Sequence, residues 1–174
     1  KKQPVDEAAL ESFTIELVKL GEELMAQRAA LLPELAPRIV AAHQRIAPKG
    51  ESLAVAYAPN VKGDFAEHLR RHREREYRLG STAAGPHRDE LTLELNERPA
   101  ADFASEGQKR TVAIALKMAQ AEHFSAVHGV PPVLLIDDVM GELDATRRAG
   151  FIPLLDQCSQ GRGQVFMTCT EENW

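Results

Sequence analysis

Two groups of side chains have the types and spacing to handle a polyphosphate. The first, Val133-Leu134-Leu135-Ile136-Asp137-Asp138, sets two adjacent carboxylates at the end of an apolar run. Ligands of open α/β sheets bind at the carboxyl ends of strands. At such an edge one carboxylate can hold Mg²⁺, directly or through its waters, while its neighbour orients or deprotonates an attacking water. Asp137 suits the metal and Asp138 the water. The plainer alternative is a turn opened by two acidic residues. The second group, Ser105-Glu106-Gly107-Gln108-Lys109-Arg110, stands where a long apolar helix begins. The Ser105 hydroxyl and the first backbone N–H groups point out from the positive end of that helix, which attracts phosphate. Gly107 has no Cβ to keep an anion away. Taken alone, an ordinary helix cap with a charged first turn explains this group better; the carboxylate strand downstream reverses that preference.

These groups need elements to hold them. Leu10, Phe13, Leu17, Leu20 and Leu24 recur at three- and four-residue steps, the seam of a helix packed on another helix. The pattern resumes after Pro33 at Leu35, Ile39, Ala42 and Ile46, then stops at Pro48 and Gly50, which predicts a second helix folding back on the first. Leu53, Val55 and Tyr57 alternate as a short strand, and a helix is expected from Asp64 to Arg78. Leu91, Leu93 and Leu95 predict a half-buried strand. The helix from Ser105 to about Phe124 is apolar on two sides and so expected to be buried. Val133 to Ile136 reads as a strand covered on both faces, Asp144 as the cap of a helix to about Leu155, and Val165 to Met167 as a last strand. The back half thus reads as an α/β sheet.

Composition bounds the setting. With 174 residues, 44% hydrophobic, the chain can bury a core of one globular domain or a small domain with an extension. No apolar run reaches the length of about 18 residues that a membrane helix needs. Two cysteines, Cys158 and Cys169, are too few for a disulfide framework or a paired-thiol zinc site, so a reducing, cytoplasmic setting is expected. The net charge of −5 is no footprint of a dedicated nucleic-acid binder, but its distribution is uneven. Residues 62–88 carry seven basic and four acidic side chains, leaving +3 there and −8 on the rest. Arg70, Arg71 and Arg73 therefore suit DNA phosphates, although the interleaved Glu74 and Glu76 fit a solvated helix face somewhat better.

Spacing joins the two chemical groups. A helix-start phosphate cradle, a helix, an apolar strand ending in Asp-Asp and then Glu142-Leu143-Asp144 follow the order of the second lobe of ABC-type ATPases. With Gly85-Pro86-His87-Arg88-Asp89-Glu90-Leu91 ahead of them, these motifs closely resemble the RecF family of DNA-repair ATPases, over about residues 50–174. The resemblance implies an ABC-type head related to SMC proteins that dimerises around ATP and Mg²⁺ and binds DNA. It further implies work with RecO and RecR to place RecA at single-stranded gaps, in support of replication and the SOS response. In that family Ser105, Glu106, Gly107 and Gln108 take the place of the ABC signature, which contacts the γ-phosphate of ATP held by the opposite protomer. Asp137 falls on the Walker B Mg²⁺ ligand, and Asp138 on a position that is glutamate in many relatives and aspartate in RecF. Asp144 falls in the D-loop along the dimer interface, with helix capping an equally good account of it. Thr168 and Thr170, with Glu171, fall near the switch loop, where transporter relatives carry histidine. Gly85, Pro86, His87 and Arg88 are the most family-specific stretch: a rigid turn, an imidazole and a planar donor fork suited to phosphate, or simply a turn before the Leu91 strand.

The expected architecture is α/β, an ABC-ATPase-like second lobe with a helical arm of antiparallel helices. Residues 1–50 would form the arm, 51–79 a connecting strand and helix, and 80–174 the lobe bearing signature, Walker B and D-loop. No Gly-Lys-Ser or Gly-Lys-Thr occurs, so a P-loop is missing and the chain alone is expected to be inactive, an ATPase only in the full-length protein. The abrupt start at Lys1 and the early end at Trp174 agree with a piece of a longer protein. Two rivals remain: another SMC-like head, disfavoured by the short arm, and a non-catalytic dimerisation or adaptor lobe, disfavoured by the paired aspartates.

Overall fold

One helix, α1, runs unbroken from Glu7 to Ile46, where the sequence pattern predicts two helices turning back at Pro33. A proline inside a helix removes a donor and crowds the carbonyl four residues earlier. Pro33 and Pro37 lie on one exposed face, and Ala29, whose carbonyl loses its donor to Pro33, is exposed too, so water can serve the freed groups. The structure, a computed structural model, describes residues 7–159 and 163–168.

Two compact units divide the chain. One gathers the residues up to Leu32 with Tyr57–Leu91, the other Pro33–Ala56 with the residues from Thr92 on. They interleave, and so differ from the consecutive segments 1–50, 51–79 and 80–174. In the first unit, α2 (Phe65–Leu79) opens on Asp64, whose carboxylate accepts the Glu67 N–H at 2.8 Å, and closes on Gly80 in the left-handed conformation (φ 67°). It packs on the first part of α1. Phe65 lies so close to Gly21 that a Cβ there would stand 2.7 Å from its ring, Leu69 joins a cluster with Leu17 and Val18, and Arg73 pairs with Glu11. Rising numbers on α2 meet falling numbers on α1. The antiparallel helices therefore exist, with α2 rather than the second half of α1 as the returning partner.

The second unit buries Ile39, Ala42 and Ile46 of α1 with Val112, Ala115, Met118 and Ala119 of α4 (Glu106–His128) and Phe151, Leu154 and Leu155 of α5 (Ala145–Ser159). As expected, α4 is buried on more than one side. Gly150 permits a close approach of α5 to the end of α1: a Cβ there would stand 2.1 Å from the Arg45 carbonyl oxygen. The described strands form two sheets instead of one. The first has the order β1 (Leu53–Ala58), β2 (Glu90–Leu95), β3 (Arg98–Pro99). Asn96 (φ 50°) and Glu97 (φ 64°) turn β2 straight back into antiparallel β3, the two-residue hairpin that matches strand twist, so β2 never reaches the next sheet. A four-residue helix, α3 (Ala100–Phe103), then leads to α4.

The second sheet pairs β4 (Val133–Ile136) and β5 (Gln164–Met167) in parallel, Val133 opposite Gln164 and Ile136 opposite Met167, with α5 as the crossover. Leu134, Ile136, Val165 and Met167 pack on the core, whereas Leu135 is 79% and Phe166 58% exposed. The expected covering of both faces of β4 is thus corrected: among the described residues, only one face of this pair is packed. No described helix is long and apolar enough to cross a membrane.

Candidate nucleotide-phosphate site

The start of α4 is fixed by a reciprocal pair of bonds. The Ser105 hydroxyl accepts the Gln108 backbone N–H at 3.3 Å, and Gln108 Oε1 accepts the Ser105 N–H at 2.8 Å, a capping box. The N–H groups of Glu106 and Gly107 have no acceptor within the helix, as helix geometry requires. Ser105 and Glu106 are exposed. A Cβ on Gly107 would meet only Arg147 Nε, at 3.9 Å, so packing does not demand glycine there. Together these features make an outward-facing nest of donors at the positive end of a helix.

Asp137 and Asp138 follow the last residue of β4, at the carboxyl end of the parallel pair. Thr168 extends the ladder by one bond, its N–H donating to the Ile136 carbonyl at 3.0 Å. Its hydroxyl donates to Asp137 Oδ1 at 2.5 Å and accepts the Asp138 N–H at 3.0 Å. One side chain just past β5 thus ties together the two aspartates that follow β4. Asp138 takes a left-handed conformation (φ 44°), which aspartate tolerates better than most residues and which breaks the strand at that point. Asp137 is exposed and Asp138 half-buried. Thr170 and Glu171 lie outside the described residues.

Beyond the aspartates, buried Met140 and Leu143 anchor the loop to the core. Asp144 caps α5, accepting the Arg147 N–H at 2.9 Å, and its other oxygen lies 3.3 Å from Arg147 Nε. Here sequence reasoning missed a cluster. The buried Arg147 guanidinium donates to Thr111 Oγ1 (2.7 Å) and to both oxygens of Glu51 (3.4 and 3.2 Å), while Gln108 Nε2 donates to Glu51 Oε2 at 2.8 Å. His43, fully buried, lies 3.1 Å from Glu51 Oε1 through Nε2. Burial pushes the Glu51 carboxyl up, but the bonds from Arg147 and Gln108 and the charge of Arg147 outweigh it and hold it below the usual range. Burial pushes His43 down, with Glu51 opposing. Among the described residues Nδ1 of His43 has no partner, which suits the neutral ring that donates through Nε2 and keeps only a lone pair on Nδ1.

In the other unit, the Gly85-Pro86-His87-Arg88 turn is held from below by Asp89. That carboxylate accepts from Arg28 (2.9 Å), from the Asn60 N–H (2.9 Å) and from the Tyr57 hydroxyl, while Asn60 Oδ1 accepts the Gly85 N–H at 3.2 Å. Arg28 also donates to the Pro86 carbonyl, at 2.5 Å. Gly85 needs its freedom here, at φ 137° with the Phe65 ring 3.0 Å from where a Cβ would stand. His87 and Arg88 are left on the surface, with His87 Nε2 3.1 Å from the Thr82 carbonyl oxygen. The arginines of α2 divide. Arg71 pairs with Glu67, and Arg73 with Glu11 and the face of Tyr77, whereas Arg70 is exposed with no carboxylate paired to it among the described residues.

A fold of this kind, with a parallel strand pair and a long capped helix in one unit, is that of an ABC-type ATPase head. Two solved structures share it: the recombination mediator protein RecF with ATP in the RecFOR pathway, at a TM-score of 0.78 and 27% identity over 99% of this chain and 48% of that one, and its counterpart with an ATP analogue, also at 0.78. Curated relatives agree. The DNA replication and repair protein RecF of Moorella thermoacetica is 41% identical over 167 residues, 95% of this chain and 44% of that protein. Its counterpart in Synechocystis is 38% identical over 173 residues. The chain resembles these RecF proteins over nearly its whole length, and it spans about half the length of the curated relatives it matches. No family model matches it.

Proposed function

We propose that the protein to which this chain belongs is a DNA-binding ATPase of recombinational repair in which ATP holds two heads together. The observation that carries this reading is the exposed, capped start of α4, whose glycine no packing contact requires. In this reading Ser105 donates its hydroxyl proton, and Glu106 and Gly107 their N–H groups, to the γ-phosphate of ATP bound by the partner head. Gln108 positions Ser105 through Oε1 and donates one Nε2 N–H to Glu51, which leaves its second N–H to join the phosphate contact. Asp137 is the residue to hold Mg²⁺. Mg²⁺ keeps several waters and binds through one or two carboxylates plus substrate phosphates, so Asp137 would share it with ATP. Such an ion supplies charge neutralisation on the phosphates. Asp138 orients the attacking water, Thr168 fixes the aspartate pair, and Asp144 runs along the interface while capping α5.

DNA, with RecO, RecR and, through them, RecA, are the partners we assign, in the cytoplasm. RecF relatives are named for DNA replication and repair, and the solved neighbours are described in the RecFOR pathway. Arg70 and Arg88 are the arginines best placed to meet DNA phosphate, being exposed and clear of the carboxylates that engage Arg71 and Arg73. With no Gly-Lys-Ser or Gly-Lys-Thr in its sequence, the isolated chain turns over no ATP. Helix-end interactions of about 0.3–2 kcal/mol at each of two symmetric sites move a dimerisation constant by roughly half a decade to three decades. Ser105→Arg in the full-length protein should therefore abolish ATP-dependent dimers, seen by sedimentation, while the monomer still binds ATP. Persistence of those dimers would overturn the contact in trans.

A further inference from the structure

The buried charges behind the site join its two loops. Glu51, in the link between α1 and β1, receives Gln108 from the start of α4 and Arg147 from the start of α5 on the same oxygen, at 2.8 and 3.2 Å. Gln108 in turn holds the Ser105 N–H through its other end, at 2.8 Å, and Arg147 holds Asp144 at 3.3 Å. A continuous path therefore runs Ser105, Gln108, Glu51, Arg147, Asp144, with Thr111 and His43 as side supports. Buried ion pairs add little stability over apolar packing of the same volume, but they fix geometry, because a displaced partner leaves a charge without compensation. Nothing in core packing asks for a guanidinium there. Its planar fork instead matches two carboxylate oxygens and a hydroxyl at once.

We infer that Glu51 and Arg147 are positioning residues that brace the Ser105 helix start and the Asp144 loop into one register, so that phosphate engaged at the first is felt at the second. This rests on the reading that both loops face the partner head. The brace makes a phosphate contact at Ser105 depend on the same carboxylate that orients Arg147, and neither loop can shift without breaking a bond to Glu51 or Arg147.

The test uses the full-length protein with Glu51→Gln, which removes the charge at constant shape, and Arg147→Lys, which keeps the charge but loses the fork. Amide hydrogen exchange is followed at residues 105–110 and 143–148 together with ATP binding by the monomer and ATP-dependent dimerisation. Both variants should speed exchange in the two segments together and weaken dimerisation about tenfold to a hundredfold, with ATP binding by the monomer unchanged. Lysine behaving as wild type would mean that charge alone suffices, and would overturn the brace; so would faster exchange in one segment only. Should Glu51→Gln fail to fold, Arg147→Lys carries both measurements. Ser105→Arg separates the two ideas: if it abolishes dimers while Arg147→Lys leaves dimerisation and exchange untouched, the brace falls and the phosphate site stands. If neither affects dimerisation, the reading of the site falls, and the exchange data still decide the brace.

Discussion

Removing the Asp89 carboxylate should destabilise the chain by about 2–5 kcal/mol, because three donors lose one acceptor. The side chain of Asp89 is 2% exposed and that of Arg28 40%. The Tyr57 hydroxyl and the Asn60 N–H are the costly partners, at roughly 1–2 kcal/mol each for a bond to a charged acceptor. Arg28 can turn to water, so its share stays within about 1 kcal/mol. Urea unfolding of Asp89→Ala, followed by circular dichroism, should show a lower midpoint at unchanged slope. Asp89→Asn adds a pH signature. Burial pushes the Asp89 carboxyl up, yet Tyr57, Asn60 and Arg28 outweigh it and hold it below its ordinary 3.8. The folded state then binds this proton more weakly than the unfolded chain. The stabilisation is complete above the unfolded value and is lost as pH falls below it. Asp89→Asn should flatten that acid limb. A wild-type midpoint at neutral pH in both variants would refute the reasoning, and would mean that the turn at Gly85 to Arg88 holds without its carboxylate.

Two further outcomes follow from the second unit. Helix propensity alone says Gly150→Ala should stabilise α5 by about 1 kcal/mol. A Cβ 2.1 Å from the Arg45 oxygen and 2.8 Å from Ile46 Cα says the reverse, a loss of roughly 2–3 kcal/mol read as a lower melting temperature. His43 gives a pH dependence of known sign: burial holds its pKa below 6.5, so the stability it allows is full above that value and declines as pH falls from 6.5 toward the folded pKa. Unfolding measured between about pH 5 and 8 should slope accordingly, and His43→Gln, which keeps a donor for Glu51 without titrating, should reduce the slope. An unchanged profile in that variant would show that His43 is not the group responsible.

Much of this was legible because the signals are local. Ser105 and Gln108 three residues apart announce a capping box, Asp64 and Asp144 announce helix starts, and the alternation in Leu91 to Leu95 marks a strand. The errors arose where long-range packing overrules a local rule. Pro33 ends a helix by local chemistry, but the freed carbonyl lies on a solvated face and the apolar seam continues on both sides. A run of four apolar residues in β4 looks doubly covered, although side chains alternate in any strand and the described chain packs only the face of Leu134 and Ile136. The turn at Asn96 and Glu97 was missed because neither residue is glycine, and both nevertheless take positive φ.

The site itself divides along the same line. Asp137, Asp138 and Ser105 could be named in advance, since their meaning lies in neighbours one to three residues away. Glu51 could not. Its importance comes from three elements converging on one carboxylate in the link after α1: the end of α1, α4 and α5. No spacing in the chain encodes that meeting, and a glutamate beside a glycine and a serine reads as an ordinary loop residue. Asp89 stands between the two cases, visible within the Gly85 motif but without a role until Arg28, Tyr57 and Asn60 close around it. A phosphate site is therefore readable at its exposed donors and carboxylates, whose chemistry is stated by residue type, and hidden in the buried charges that set the distance between them.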